Sequence, residues 1–77
     1  MDLNAVRIFV AVLQAGSLTQ ASERLNIPIA TISRKISELE KQLNRQLFDR
    51  SKTGVKPTAQ GQQLYEQMHL DIDNLLN

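Results

Sequence analysis

Three single residues that tolerate a left-handed backbone divide the first 44 residues of this chain into short amphipathic segments. Gly16, Asn26 and Asn44 each follow a run whose apolar residues recur at three- and four-residue steps, which is the pattern of a helix with one buried face. Glycine and asparagine are the residues that most readily end a helix in the left-handed conformation. The spacing therefore predicts three short helices joined by tight turns.

The first two predicted helices have recognisable ends. The first carries apolar residues from Leu3 onward and ends at Gly16. The second begins near Leu18, because Ser17 and Gln20 stand at the spacing of a capping box, in which each side chain binds the backbone amide of the other residue. The turn between these helices is therefore only a few residues long.

The third predicted helix begins at Pro28, which pre-sets the first helical φ angle. Its apolar stripe steps by four, three and four residues and consists of Ile32, Ile36, Leu39 and Leu43. At about 100° per residue these positions lie on one narrow face. The opposite face holds Ala30, Arg34 and Ser37, with Thr31 and Ser33 beside them.

The helical period stops after residue 44. Residues 47–50 and 55–56 flank a polar turn, which predicts a short two-stranded hairpin. Pro57 ends the second strand or lies at an edge, since proline cannot donate to a ladder. Thr58 caps a last helix that continues through Leu76.

Small residues before a tight turn are typical of a helix-turn-helix. Ala21 and Ser22 allow the second and third helices to cross closely, Asn26 makes the turn and Ile27 fills it. The outer face of the third helix is short and polar, a shape that can enter the major groove of DNA. A basic hairpin directly afterwards is typical of a wing that touches the flanking backbone.

Charge is distributed unevenly, although the net charge is only +1. Residues 34–58 hold seven basic and three acidic side chains, whereas residues 59–77 hold three acidic and no basic ones. A basic middle suggests a polyanion as its partner. An unevenly charged solvated surface is the simpler interpretation of this feature alone.

The chain resembles the N-terminal DNA-binding domain of the LysR-type transcriptional regulators. The residues that carry the resemblance follow the family's order and spacing over essentially the whole chain: Leu3, Phe9-Val10, Gly16-Ser17-Leu18-Thr19, Ala21, Leu25, Ser33-Arg34, Ile36, Leu39-Glu40, Leu43, Leu47-Phe48, Arg50, Gly54-Val55, Thr58 and Gly61. The resemblance implies a transcription regulator that dimerises through its last helix. It also implies that a small-molecule effector binds a larger domain that is not in this chain. The expected fold is mainly α, with a winged helix-turn-helix over residues 1–58 and a long linker and dimerisation helix over residues 59–77.

One departure from the family falls at the start of the third helix. Where the family most often has Ser-Gln-Pro-Ala, this chain has Pro28-Ile29-Ala30-Thr31. The glutamine that often touches a base is therefore absent. An isoleucine or alanine there could instead meet the methyl group of thymine.

The expected DNA contacts lie on three elements. They are Thr19 and Gln20 on the second helix, Ile29, Ala30, Thr31, Ser33, Arg34 and Ser37 on the third, and Arg50, Lys52 and Lys56 on the hairpin. Several of them have a simpler alternative. Thr19 and Gln20 could serve only the helix cap, Thr31 could be plain surface, and Arg34 could pair with Glu38 four residues on. The basic residues of the hairpin could be solubilising charges on an edge. The expected dimer interface is the stripe Leu64, Met68, Ile72 and Leu75, and its alternative is packing within one chain.

The sequence contains no arrangement of residues that is typical of a catalytic site. With no cysteine and one histidine, the chain offers neither a thiolate zinc cluster nor a histidine-rich metal site. Asp71 and Asp73 are two residues apart on a helix and do not face each other. We therefore expect no enzyme, no metal and no cofactor.

The expected function is sequence-specific binding of double-stranded DNA, as a homodimer on an inverted-repeat operator, with a higher oligomer left open for a full-length protein. The alternative is a winged-helix module that binds other proteins and not DNA. The longest apolar run, residues 8–13, is too short to span a bilayer, and the first residues lack the basic region of a secretory signal. We therefore expect a cytoplasmic protein without a membrane partner.

Overall fold

The computed structural model describes residues 2–51 and 54–76, with their side chains as far as Met68. The elements are α1 (Leu3–Ala15), α2 (Leu18–Leu25), α3 (Ile29–Leu43), β1 (Phe48–Ser51), β2 (Gly54–Pro57) and α4 (Ala59–Leu76). This order confirms the predicted mainly α-helical fold with one hairpin after the third helix.

The helix ends confirm the predictions made from single residues. Gly16, Asn26 and Asn44 have φ angles of 70°, 55° and 52° and cap α1, α2 and α3. The Ser17 hydroxyl accepts a hydrogen bond from the Gln20 amide at 3.2 Å. These turns depend on local backbone preference, which is why the sequence alone predicted them.

Each limit of the two hairpin strands differs by one residue from its predicted position. The register pairs Phe48 with Pro57 and Ser51 with Gly54, so Pro57 is indeed the last residue of β2. Leu47 precedes the ladder. Its amide instead donates to the Glu40 carboxylate at 2.7 Å, and its carbonyl accepts from the Thr58 amide at 2.9 Å.

The core lies where α1, α2, α3 and the hairpin meet. Its buried apolar residues are Ala5, Ile8, Phe9, Val12, Ala21, Ile32, Ile36, Leu39, Leu47 and Phe48. The rings of Phe9 and Phe48 have centroids 5.4 Å apart. This contact attaches the hairpin to α1, so that the hairpin has a fixed position beside α3.

The start of α4 is held against the residue before the hairpin. The Thr58 hydroxyl donates to the carbonyl of Gln46 and accepts from the amide of Gly61 at 3.0 Å, which confirms Thr58 as the cap of α4. A Cβ added at Gly61 would overlap the backbone oxygen of Leu47 and lie 3.0 Å from its carbonyl carbon. Only glycine allows this approach.

Candidate nucleic-acid interface

The turn between α2 and α3 is fixed by hydrogen bonds on both of its sides. The Ile27 amide donates to the carbonyl of Ser22 at 3.2 Å, and the Ser22 hydroxyl donates to the carbonyl of Ile27. Ala21 at the helix crossing is completely buried. These contacts set the angle at which α3 leaves α2, as a helix-turn-helix requires.

The outer face of α3 is more exposed than the face that packs on the core. Ala30, Arg34 and Ser37 are exposed, while Thr31 and Ser33 are half-buried beside them. The opposite face, with Ile32, Ile36 and Leu39, is at most 1% exposed. The predicted division of α3 into a core face and a free polar face is therefore confirmed.

Arg34 keeps its charge accessible. Its guanidinium lies 4.0 Å from the carboxylate of Glu38, and the two side chains are 64% and 55% exposed. An exposed pair of this kind contributes little to stability. Arg34 can therefore exchange Glu38 for a base or a phosphate at small cost.

The first turn of α3 presents an apolar surface. Ile29 is 45% exposed, one of two strongly exposed large apolar side chains among the described residues. Pro28 and Ala30 beside it are also exposed. In a helix-turn-helix this end of the helix contacts base edges.

The N-terminus of α2 presents Thr19 and Gln20, both exposed. The Gln20 amide already binds the capping hydroxyl of Ser17. The remaining amides of this first turn have no helical carbonyl to bind, and such groups bind phosphate readily.

The hairpin brings a basic side chain onto the face of α3. Arg50 donates from Nη1 to the Ser33 hydroxyl at 2.9 Å and from Nη2 to the Ser37 hydroxyl at 3.5 Å. Lys56, opposite Asp49 in the register, is exposed. Lys52 lies outside the described residues. The structure thus brings Arg50, Ser33 and Ser37 into one cluster, a contact that the separate sequence signals did not indicate.

Sequence reasoning also missed the role of Glu40. Its carboxylate accepts hydrogen bonds from the amides of Leu47 and Phe48 at 2.7 and 3.3 Å. This charged acceptor binds the amide just before the hairpin ladder and the first amide of β1, and so orients β1 relative to α3. The spacing of seven and eight residues gives no signal in the sequence, because it depends on how the loop folds back.

A second charged residue of α3 serves the fold. The Lys35 ammonium lies 3.2 Å from the Asp2 carboxylate, which caps α1 by accepting from the Asn4 amide at 2.9 Å. The hydrogen bond from Asn4, and after it the one from Lys35, lowers the pKa of Asp2 below its ordinary value of 3.8. Lys35 thus joins the two helices.

The predicted dimer stripe on α4 is only partly described. Leu64 and Met68 are half-buried and pack against the core of their own chain. The side-chain amide of Gln14, on α1, donates a hydrogen bond to the Tyr65 hydroxyl at 3.3 Å. The side chains of Ile72 and Leu75 lie outside the described ones.

Within the described residues there is no group of three metal-ligating side chains. No helix in residues 2–51 and 54–76 is long and apolar enough to cross a bilayer.

Comparison with known proteins assigns the chain to a family. A sequence model of the bacterial regulatory helix-turn-helix proteins of the lysR family matches residues 3–62. The nitrogen assimilation regulatory protein nac of Escherichia coli is 43% identical over 65 residues, which are 84% of this chain and 21% of that protein. The transcriptional activator protein LysR of the same organism is 38% identical over 88% of this chain and 22% of its own length. The chain therefore spans about a fifth of these relatives.

Solved structures agree with the sequence comparison. A DNA complex of the CbnR DNA-binding domain has a TM-score of 0.89 at 29% identity and covers 97% of this chain and 86% of that one. The BenM DNA-binding domain bound to catB site 1 DNA has a TM-score of 0.86 at 34% identity and covers 99% and 89%. With this fold and the matching sequence over residues 3–62, the chain belongs to the LysR family of bacterial regulatory helix-turn-helix proteins.

Proposed function

We propose that this chain binds double-stranded DNA as the DNA-binding domain of a transcription regulator. In this proposal α3 enters the major groove, and the hairpin lies on the flanking backbone. Residues 1–58 make the winged helix-turn-helix, and residues 59–77 make the linker and dimerisation helix. The small-molecule effector implied by the family resemblance would bind outside this domain. Such a regulator works in the cytoplasm, and regulation rather than catalysis is its activity.

The open outer face of α3 is the observation that carries the proposal. The exposed side chains Ala30, Arg34 and Ser37 on this face are short or basic, and the opposite face is buried in the core. A rigid helix with such a face fits the width of the major groove. Relatives of similar fold are solved as complexes with DNA, which supports DNA over a protein partner.

The first test is a salt titration of binding to labelled duplexes. A duplex selected from a random pool should bind more tightly than a mixed-sequence duplex, and both affinities should fall as salt rises, because phosphate contacts release counterions. A protein-binding module would show no salt-dependent duplex binding.

Arg34→Ala tests the orientation of α3. We expect affinity for the selected duplex to fall by about 10- to 100-fold, with relaxed preference at one base position in each half-site. Arg7→Ala on α1 removes the same charge outside the proposed interface and should leave base preference unchanged. An unaltered base preference for Arg34→Ala would show that α3 does not read bases through Arg34.

The dimer is a second part of the proposal. Leu64, Met68, Ile72 and Leu75 step by four, four and three residues, which places them on one face of α4. Leu64 and Met68 pack on their own core but stay partly exposed. Pairing α4 with its copy would cover the remaining apolar surface. Two recognition helices would then reach the half-sites of an inverted repeat about one helical turn apart, or a multiple of that.

Sedimentation tests the dimer. Ile72→Asp with Leu75→Asp should shift the chain toward monomer and weaken binding to a two-half-site duplex more than to a single half-site. Gln63→Asp with Gln67→Asp, at two exposed positions of the same helix, is the charge-matched control. Parent-like sedimentation and parent-like binding to both half-sites would rule out α4 as the dimer element.

A further inference from the structure

The Arg50 side chain lies between the hairpin and the middle of α3. Its two terminal nitrogens donate to two hydroxyls that are one helical turn apart, Ser33 Oγ at 2.9 Å and Ser37 Oγ at 3.5 Å. The partners are 17 and 13 residues away in sequence. Side chains from two elements therefore meet at one point on the proposed DNA-binding face.

The charge of Arg50 has neutral partners in this cluster. The ion pairs of the described residues are Arg34–Glu38 and Lys35–Asp2, and Arg50 belongs to neither. A guanidinium has five N–H donors, so two hydrogen bonds to serines leave three for another acceptor. Each serine hydroxyl accepts from Arg50 and keeps its own O–H as a donor. The cluster is thus positive, rich in donors and exposed at Arg50 and Ser37.

We infer that Arg50, Ser33 and Ser37 bind one phosphate of the DNA backbone together. This inference rests on the proposed function and adds a joint contact to it. A phosphate offers several acceptor oxygens to the forked donors of arginine and to nearby hydroxyls. Because one phosphate would touch both the hairpin and α3, this contact would set the register of α3 along the groove.

A double-mutant cycle tests the joint contact on the selected duplex. Arg50→Ala should weaken binding roughly tenfold at 0.1 M salt and lower the salt slope by about 0.9, the value for one phosphate. Ser33→Ala should weaken binding less. The double variant should bind DNA at most about twofold more weakly than Arg50→Ala, because Ser33→Ala then removes a contact that is already lost.

Lys56→Ala supplies the matched control. Lys56 lies on β2, opposite Asp49, and should contact a different phosphate. The losses for Ser33→Ala and Lys56→Ala should therefore multiply in their double variant. Arg50→Lys should keep the salt slope but lose the coupling to Ser33, since one ammonium cannot replace the planar fork.

Two results would overturn the joint contact while leaving DNA binding in place. One is multiplication of the Arg50→Ala and Ser33→Ala losses in their double variant. The other is parent-like DNA affinity for both single variants together with lowered thermal unfolding midpoints, which would show that the contact of Arg50 with the serines is purely structural. If the parent chain shows no salt-dependent duplex binding, both the proposed function and this inference are wrong.

Discussion

Replacing Gly61 with alanine should destabilise the chain, although Gly61 lies in the first turns of a helix. In a free helix the change would stabilise by up to about 1 kcal/mol, since alanine is the better helix former. Here the new Cβ would overlap the backbone oxygen of Leu47 and lie 3.0 and 3.2 Å from its carbonyl carbon and Cα. Because all three atoms belong to the backbone, rotation of a side chain cannot relieve the overlap.

The size of the destabilisation follows from the contacts that must shift to make room for the new Cβ. Displacing α4 from Leu47 stretches the hydrogen bond from the Thr58 amide to the Leu47 carbonyl, 2.9 Å long. It also disturbs the Thr58 cap, which accepts from Gly61 at 3.0 Å. Two such bonds contribute about 1 kcal/mol each, and overpacking costs about 1–3 kcal/mol. After subtracting the gain of up to about 1 kcal/mol in helix propensity, we expect a net loss of about 2–4 kcal/mol.

Thermal and urea unfolding followed by far-ultraviolet circular dichroism measure this loss. For a domain of this size each kcal/mol lowers the thermal midpoint by about 4–8 °C. The stability difference between Gln63→Gly and Gln63→Ala, at an exposed position of α4, measures the effect of replacing glycine with alanine in this helix without a close contact. A Gly61→Ala midpoint above the parent's would refute the close approach of α4 to Leu47.

Three further changes test other contacts. Glu40→Ala should lower the free energy of unfolding by about 1–3 kcal/mol in urea titrations, because two amides lose a charged acceptor; an unchanged midpoint at unchanged slope would contradict this. Asp2→Asn should flatten the acid dependence of the thermal midpoint below about pH 4. Because the pKa of Asp2 is lowered in the folded chain, its carboxylate stabilises the fold above the ordinary value of 3.8, and this contribution is lost as pH falls. If the variant's acid dependence matches the parent's, the contacts of Asp2 with Asn4 and Lys35 contribute nothing. Replacing one thymidine with deoxyuridine removes a methyl group and should lower the DNA affinity of the parent roughly fourfold at one position, the transfer energy of one methyl group. Ile29→Ala should make this loss smaller. An equal loss in the variant would show that Ile29 meets no thymine methyl.

The sequence determined the helices, their turns and the faces of α3. Gly16, Asn26 and Asn44 end helices in the left-handed conformation, and Ser17 and Thr58 cap the helices that follow. Each of these features depends on the preference of one residue or on contacts within a few positions. The apolar period decided which face of α3 is buried, because burial of that face stabilises the fold.

Tertiary packing decides how the hairpin meets α3 and how α4 meets Leu47, the residue before the hairpin. The contact of Arg50 with Ser33, that of Glu40 with the Leu47 amide and the approach of Gly61 to Leu47 each join two segments that are separate in the sequence. Their partners are 17, 7 and 14 residues apart. Such distances are set by packing of the hairpin on the core, through contacts such as that between the Phe9 and Phe48 rings. No local preference specifies them, because the same residues in a differently packed chain would not meet.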